Sequence, residues 1–291
     1  MVVKIFTTAP ALGADDSDGD GISDADEGYG DSDNDGIPDY LDNIDESNLA
    51  PVGDSGDVVQ TSAGTTIVLG DTAFSSGNNE VGIDESDVGS ADADWDYLGG
   101  LVDFKVSGGQ AGATYNVVIP LSGTVPAGAV LRKFMGDNIG WQDFVENATN
   151  AIHSAMATSG TCPEPGSSAY APGLPTAEAM VPEQTICLEL LIEDGGPNDM
   201  DGVANGTVVD PRGIATLYFG PPSSNSTISI DATELKAGGN EPATVTVTAV
   251  DPDGRALEGM TVSASASLSD ATVGGFTESA GGVYTATLTP G

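Results

Sequence analysis

Residues 101–121 read LVDFKVSGGQAGATYNVVIPL, two apolar runs of strand length, Leu101–Val106 and Tyr115–Leu121, on either side of a glycine-bearing turn. Valine, isoleucine, phenylalanine and tyrosine suit a pleated, half-buried surface, and a Gly-Gly step marks the place where the chain reverses. The same alternation of run and turn extends outward, to Thr65–Leu69 upstream and to Val130–Phe134, Ile186–Ile192 and Ala215–Phe219 downstream. It predicts an antiparallel β-sandwich over residues 49–220. With 40 Gly and 17 Pro in 291 residues, the composition favours short strands and tight turns over long helices. One stretch departs from this pattern: Glu146–Ser159 (ENATNAIHSAMATS) reads as a short helix. Pro163–Pro182, with five prolines, reads as an irregular loop.

Beyond Gly220 and Pro221 a small polar run to Ser226 makes a linker. Thr244–Val250 then alternates strictly, Val245, Val247 and Ala249 on one face against Thr244, Thr246 and Thr248 on the other, with Asp251–Gly254 as the turn. Met260–Ala266 and Gly282–Leu288 continue the theme. Residues 221–291 therefore read as a second antiparallel β-sandwich, immunoglobulin-like but only about 70 residues against the usual ~100, and so short of its final strands. The fold class expected is all-β.

The charge is lopsided. Forty-five Asp and Glu face seven Lys and Arg, for a net −38. Nothing here could neutralise a row of phosphates, so nucleic acid is excluded as a partner. The acids are clustered: residues 15–46 hold 14 of them and no Lys or Arg. Such a run cannot bury a core by hydrophobic means, and without ligands it would be disordered. Bound cations account for it best.

Asp16-Ser-Asp18-Gly-Asp20-Gly21-Ile22-Ser-Asp24-Ala-Asp26-Glu27 places carboxylates at loop positions 1, 3, 5, 9 and 12, glycine at 6 and a main-chain carbonyl, that of Ile22, at 7. A hard cation with six to eight oxygen ligands needs such a set, and the glycine allows the turn that folds the ligands inward. Asp31-Ser-Asp33-Asn-Asp35-Gly36-Ile37-Pro-Asp39-Tyr-Leu-Asp42 repeats it fifteen residues later. A solvated acidic tail would not place glycine at the same offset twice. The implied cation is Ca2+. A third candidate is DGGPNDMDGVANGTVVDP, residues 194–211, with donors Asp199, Asp201, Asn205 and Asp210, the Val203 carbonyl, and Asp194 standing in for a first ligand replaced by Pro197; its alternative is a plain acidic turn. Asp92, Asp94 and Asp96 show the 1-3-5 spacing without the glycine turn and read more readily as a solvated strand edge.

EF-hands and dockerins flank such loops with helices, whereas only Gly28, Tyr29 and Gly30 separate these two. The short period instead resembles thrombospondin type 3 repeats, in a form without the cysteines of the vertebrate version; that resemblance implies a chain of little regular structure wrapped around calcium. The segment LVDFKVSGGQAGATYNVVIPL, with PAGAVLRKF, GWQDF and DGGPNDMDGVANGTVVDP, resembles the choice-of-anchor U domain of bacterial surface proteins over roughly residues 95–215, which implies export and surface attachment. ATVTVTAVDPDGRALEGMTVSASAS and GGVYTATLTPG resemble the Ig-like repeats of invasin-type adhesins. The domain reading is thus an extended lead at 1–14, calcium repeats at 15–48, a sandwich at 49–220 and an Ig-like sandwich at 221–291.

Cys162 and Cys187, the only cysteines, suit neither a CxxC redox pair nor a zinc knuckle. In an exported protein they pair, closing a loop that contributes roughly 3.5 kcal/mol on the chain-entropy model; two unlinked small apolar residues are the alternative. No stretch approaches the ~20 apolar residues of a membrane-spanning helix, and residues 1–14 lack the apolar core of a signal peptide. His153 is the sole histidine and has no nucleophile motif near it, so no triad is legible. Trp95, Trp141, Tyr97 and Tyr115 read as core aromatics in preference to a sugar platform. The sequence points to a calcium-binding structural or adhesive segment of a secreted or cell-surface bacterial protein, not an enzyme, with a protein or glycan target. A carbohydrate- or protein-binding sandwich, or part of a hydrolase, is the alternative. Val2, Val3, Ile5 and Phe6 could form a strand for self-assembly by strand addition.

Overall fold

In the computed structural model, residues 11–53, 57–77, 79–121, 125–126, 128–175, 185–218, 220–237, 241–267 and 271–291 are described. The strand expected at Val2–Phe6 lies outside them. The chain divides into two compact units, Met1–Leu217 and Tyr218–Gly291.

The first unit is built on two antiparallel sheets. One runs β1 (Leu49–Val52), β2 (Asp57–Thr61), β6 (Thr114–Leu121), β11 (Ile186–Glu193), β9 (Ala151–Met156), β10 (Ala171–Pro172). The other runs β3 (Thr66–Leu69), β5 (Trp95–Ser107), β12 (Thr207–Leu217), β7 (Val130–Phe134), β8 (Trp141–Asp143), with β4 (Gly82–Ile83) also paired to β5. Period-two alternation explains how they close on one core. Ile186, Leu188, Leu190 and Ile192 of β11 bury with Val117 and Ile119 of β6 against Ile67, Phe104, Val106, Leu131 and Ile214 of the second sheet. The opposite face of β11 is covered too. Cys187 packs there with Val118 and Ala157, and the Cys162–Cys187 disulfide, Cα–Cα 5.5 Å, holds the following loop down on the sheet. Tyr170 Oη, donating to the Pro163 carbonyl at 2.7 Å, closes that loop on itself.

Glu146–Ser159 is not a helix. The Asn147 side chain accepts the amides of Thr149 and Asn150, an Asx turn that takes the place of a helix start. Ala151–Met156 then pairs with Leu191–Ile186 as β9 and buries Ile152. Cross-strand pairing thus overrides the helical preference of a run of small residues.

Two short helices decorate the unit, α1 (Asp24–Glu27) and α2 (Asp71–Ser76). The buried Asp103 carboxylate on β5 accepts the amides of Thr72 and Ala73, so it anchors the first turn of α2. Gly70 leaves room for it: a Cβ there would fall 2.0 Å from the carboxyl carbon.

In the second unit, β13 (Thr227–Ile230), β14 (Ala243–Thr248), β17 (Val283–Thr289) and β15 (Thr272–Val273) form an antiparallel sheet, with β16 (Thr277–Ala280) also on β17. Val245 and Ala249 are buried while Thr244 is exposed, as the alternation requires. Tyr284, buried, donates to the Leu257 carbonyl at 2.6 Å and so ties the sheet to the irregular segment facing it. Met260–Ala266 forms no strand; its alternating Ser and Ala side chains offer little apolar area to pair and pack. The chain is all-β, as its composition and run lengths foretell.

The acidic segment packs into the core of the first unit through its second loop. Ile37 is 0% exposed and belongs to the sandwich core, with Leu41 packed beside it, and the Asp35 carbonyl accepts the Leu69 amide at 3.1 Å. Ile22, at the same position of the preceding loop, is 50% exposed. Ile37→Ala is expected to cost about 2–5 kcal/mol by urea denaturation in calcium-containing buffer, and Ile22→Ala about 0.5 kcal/mol or less. Equal costs would show that the segment is not held by that contact.

Candidate metal centre

The two acidic loops share a framework of hydrogen bonds. Asp24 and Asp39, nine positions into their loops, receive the amide of the second residue (Ser17 at 2.8 Å, Ser32 at 2.6 Å) and its hydroxyl (2.9 and 3.0 Å). Their own amides reach back to the carbonyls of Asp15 and Gly30. Asp18 Oδ1 accepts the Asp20 amide and Asp33 Oδ1 the Asp35 amide, both at 3.1 Å. Asp20 and Asp35 accept from Ile22 and Ile37, both at 2.7 Å. The Gly21 and Gly36 amides approach Asp16 and Asp31. These two glycines sit at φ 97° and 99°, a region closed to most side chains, which is why glycine recurs at that offset.

This scaffold turns one oxygen of Asp18, Asp20, Asp31, Asp33 and Asp35 toward an amide, while Asp16 accepts amides through both, from Gly19 at 2.9 Å and Gly21 at 3.2 Å. Asp16, Asp18 and Asp20 each present an oxygen within 4.8 Å of the others, and Asp31, Asp33 and Asp35 do the same. Asp18 Oδ2, Glu27 Oε2, Asp33 Oδ2 and Asp35 Oδ2 are buried without a hydrogen-bond partner. An unsatisfied buried acceptor costs about 1–3 kcal/mol, more when charged. The strain shows in the acidities. Burial, with the charges of Asp42, Asp33 and Asp31 behind it, pushes the Asp35 carboxyl up to about 7. Asp42 is also pushed up to about 7, by burial and then by Asp33, Asp45 and Asp18. Burial first, then neighbouring carboxylates, raises Asp18, Glu27 and Asp33 as well.

Position 12, Glu27 and Asp42, feels the charge of these acids but lies outside the two convergent trios, whereas position 9 is taken up with the serine opposite it. Asp45, outside either twelve-residue register, acts on Asp33 and Asp42. Its signal in the sequence is the continued acid spacing through Asp42-Asn43-Ile44-Asp45. The two loops also adjoin: Asn43 Nδ2 lies 3.5 Å from the Asp18 carbonyl. Oxygen-only donors, anionic and lacking partners, fit a hard divalent cation.

The segment 194–211 is arranged differently. Asp194 accepts the amides of Gly112, Asn205 and Gly206 at 2.7, 3.1 and 2.7 Å; these bonds hold its carboxyl below the usual range against the opposing effect of burial. Asp199 accepts from Gly195 and Val209, and Asp201 from Val203 and Asn205. Asp210 is paired with Lys133 and Arg212 in the core. These carboxylates brace a turn and fill an ion cluster; they do not converge. Asp92 likewise meets Arg132 through both oxygens, at 2.9 and 3.0 Å. The aromatic side chains pack on one another, Tyr97 and Trp141 with centroids 5.0 Å apart, and Trp141 Nε1 donates to the Ser90 carbonyl. His153 Nδ1 faces Glu189 at 3.1 Å.

The family model for invasin domain 3 matches residues 222–291. Neither the curated proteins nor the solved structures gave a match to the chain. No helix among the described residues is long and apolar enough to cross a membrane.

Because Asp194 satisfies three backbone amides, Asp194→Ala is expected to destabilise the first unit by about 1–3 kcal/mol, equally with calcium and with chelator present. A loss seen only in calcium would make it a ligand. The lowered pKa of Asp194 gives a sign for pH: this stabilisation is present above the unfolded-state value near 4 and is lost as pH falls through the lower folded one.

Proposed function

We propose that residues 15–46 are a calcium-binding segment, similar to thrombospondin type 3 repeats, in a structural or adhesive part of a bacterial surface or secreted protein. The observation that carries this reading is the set of inward carboxylate oxygens that no protein donor satisfies. Asp16, Asp18, Asp20 and Glu27, with the Ile22 carbonyl, would hold one ion; Asp31, Asp33, Asp35 and Asp42, with the Ile37 carbonyl, would hold a second. Asp24 and Asp39 act by bracing Ser17 and Ser32, or through a bridging water, as position 9 of such loops commonly does. Calcium supplies positive charge where like charges crowd; the chain's own residues supply the frame and, through Ile37, couple the second loop to the sandwich. The third loop is left out of this proposal, because its carboxylates are already engaged.

The match of residues 222–291 to invasin domain 3 supports an adhesion-type module at the surface, and the resemblance of residues 95–215 to choice-of-anchor U domains agrees with export. The target would be a protein or a glycan.

Titration calorimetry is expected to report at least two ions at a Kd of about 10⁻⁴–10⁻³ M. At a hundredfold excess over Kd each site adds about 2.7 kcal/mol of stability, a rise in melting temperature of several degrees that EGTA reverses. Absence of both heat and stabilisation would refute the proposal. Asp35→Asn separates ligation from folding. Removing one like charge is expected to raise the melting temperature in EGTA while shrinking the calcium-induced rise.

A further inference from the structure

The core of the first unit encloses charges that neither packing nor the acidic loops use. Lys133 on β7, and Asp210 and Arg212 on β12, are each at most 1% exposed. Lys133 pairs across the ladder with Arg212. Asp210 precedes Arg212 by two residues and so shares its face, which makes Lys133 and Asp210 diagonal neighbours. Lys133 Nζ meets Asp210 Oδ1 directly. Arg212 Nη1 stands 2.8 Å from Asp210 Oδ2, in charge contact without hydrogen-bond alignment, and its guanidinium lies 4.8 Å over the Phe104 ring. Asp199, 0% exposed, bears on the Lys133 amine through its charge, without an ion-pair contact to it.

Two cations and two carboxylates are thus held away from water. Keeping them all ionised there carries a large desolvation cost. Burial disfavours the ammonium form, and a desolvated neutral amine is a nucleophile. The strand ladder fixes that amine against a carboxyl group, with a guanidinium beside its other oxygen and a second carboxylate buried in the same core.

We propose that Lys133 and Asp210 condense to an intramolecular isopeptide bond that ties β7 to β12 inside the sandwich. The Lys133 proton passes to Asp210 Oδ1, and the nitrogen lone pair then forms a bond to Cγ. Negative charge collects on Oδ2 beside Arg212. The nitrogen's extra proton moves to the Oδ1 hydroxyl, which departs as water while Oδ2 re-forms the carbonyl, and the buried Asp199 carboxylate favours the positively charged nitrogen while it lasts. No oxidant or cofactor is consumed. One cation and one anion vanish together, and Arg212 and Asp199 remain as a balanced pair.

The test is the mass of the full chain after reduction of the disulfide. It is expected to fall about 18 Da, one water, below the sequence mass, and a protease digest is expected to yield a branched peptide joining Lys133 to Asp210. Lys133→Arg and Asp210→Ala should each restore the full mass, and Asp199→Asn should leave a larger share of uncondensed chain. A succinimide at an Asp-Gly step loses the same mass but gives no branch and survives in Lys133→Arg. The full sequence mass in the wild-type chain, or a loss that persists in Lys133→Arg, would leave a plain buried ion pair and overturn the bond. The branched peptide is sought in the wild-type protein, so the decision stands even where a variant fails to fold.

Discussion

Carboxylates held within touching distance of one another, with too few donors to satisfy them, dominate this molecule. At a net charge of −38 the chain works against its own compactness, and residues 15–46 concentrate that difficulty. The backbone answers part of it. In both loops backbone amides are offered to the acids, the left-handed glycine makes this geometrically open, and the Ser–Asp brace closes the loop. The oxygens of Asp18, Glu27, Asp33 and Asp35 left without a protein donor are the ground for the calcium proposal.

Elsewhere the protein handles buried acids by a different route, spending them on structure. Asp103 anchors the first turn of α2, Asp194 gathers three amides from two segments, and Asp92 clamps Arg132. The contrast sets the acidic loops apart: Asp103, Asp194 and Asp92 are met by the chain's own donors, whereas the loops at 15–46 hold four buried carboxylate oxygens with neither a hydrogen-bond donor nor a basic side chain beside them among the described residues.

Much of this was legible in the sequence. Val130–Phe134 is β7 to the residue, and Thr65–Leu69, Tyr115–Leu121 and Ile186–Ile192 each lie within a residue or so of a strand end, because buried apolar runs between turns leave little alternative. Only the last three residues of β12 were visible, at Ala215–Leu217. Its earlier part carries Asp210, Pro211 and Arg212, which read against a central strand until Lys133 and Phe104 are seen opposite them. The two loops were legible as a repeat, but the sequence held no sign that Ile37 is buried and Ile22 exposed, since that difference is decided by the surface each loop meets. Nor could spacing alone show that position 9 faces a serine, or that the acids of 194–211 point at amides. A donor set is a property of where neighbouring chain passes, and pattern is silent on that.

If residues 15–46 bind calcium as proposed, the acidic segment acquires its loop geometry with the cation and through Ile37. Amide hydrogen exchange across residues 15–46, with calcium and with EGTA, tests this most directly. Strong protection of the Ile22, Asp24, Ile37 and Asp39 amides in calcium, lost in EGTA while β6 and β11 stay protected, is the expected result. Protection that is the same in both conditions would contradict it, and would make the segment either a self-sufficient fold or an acidic tail.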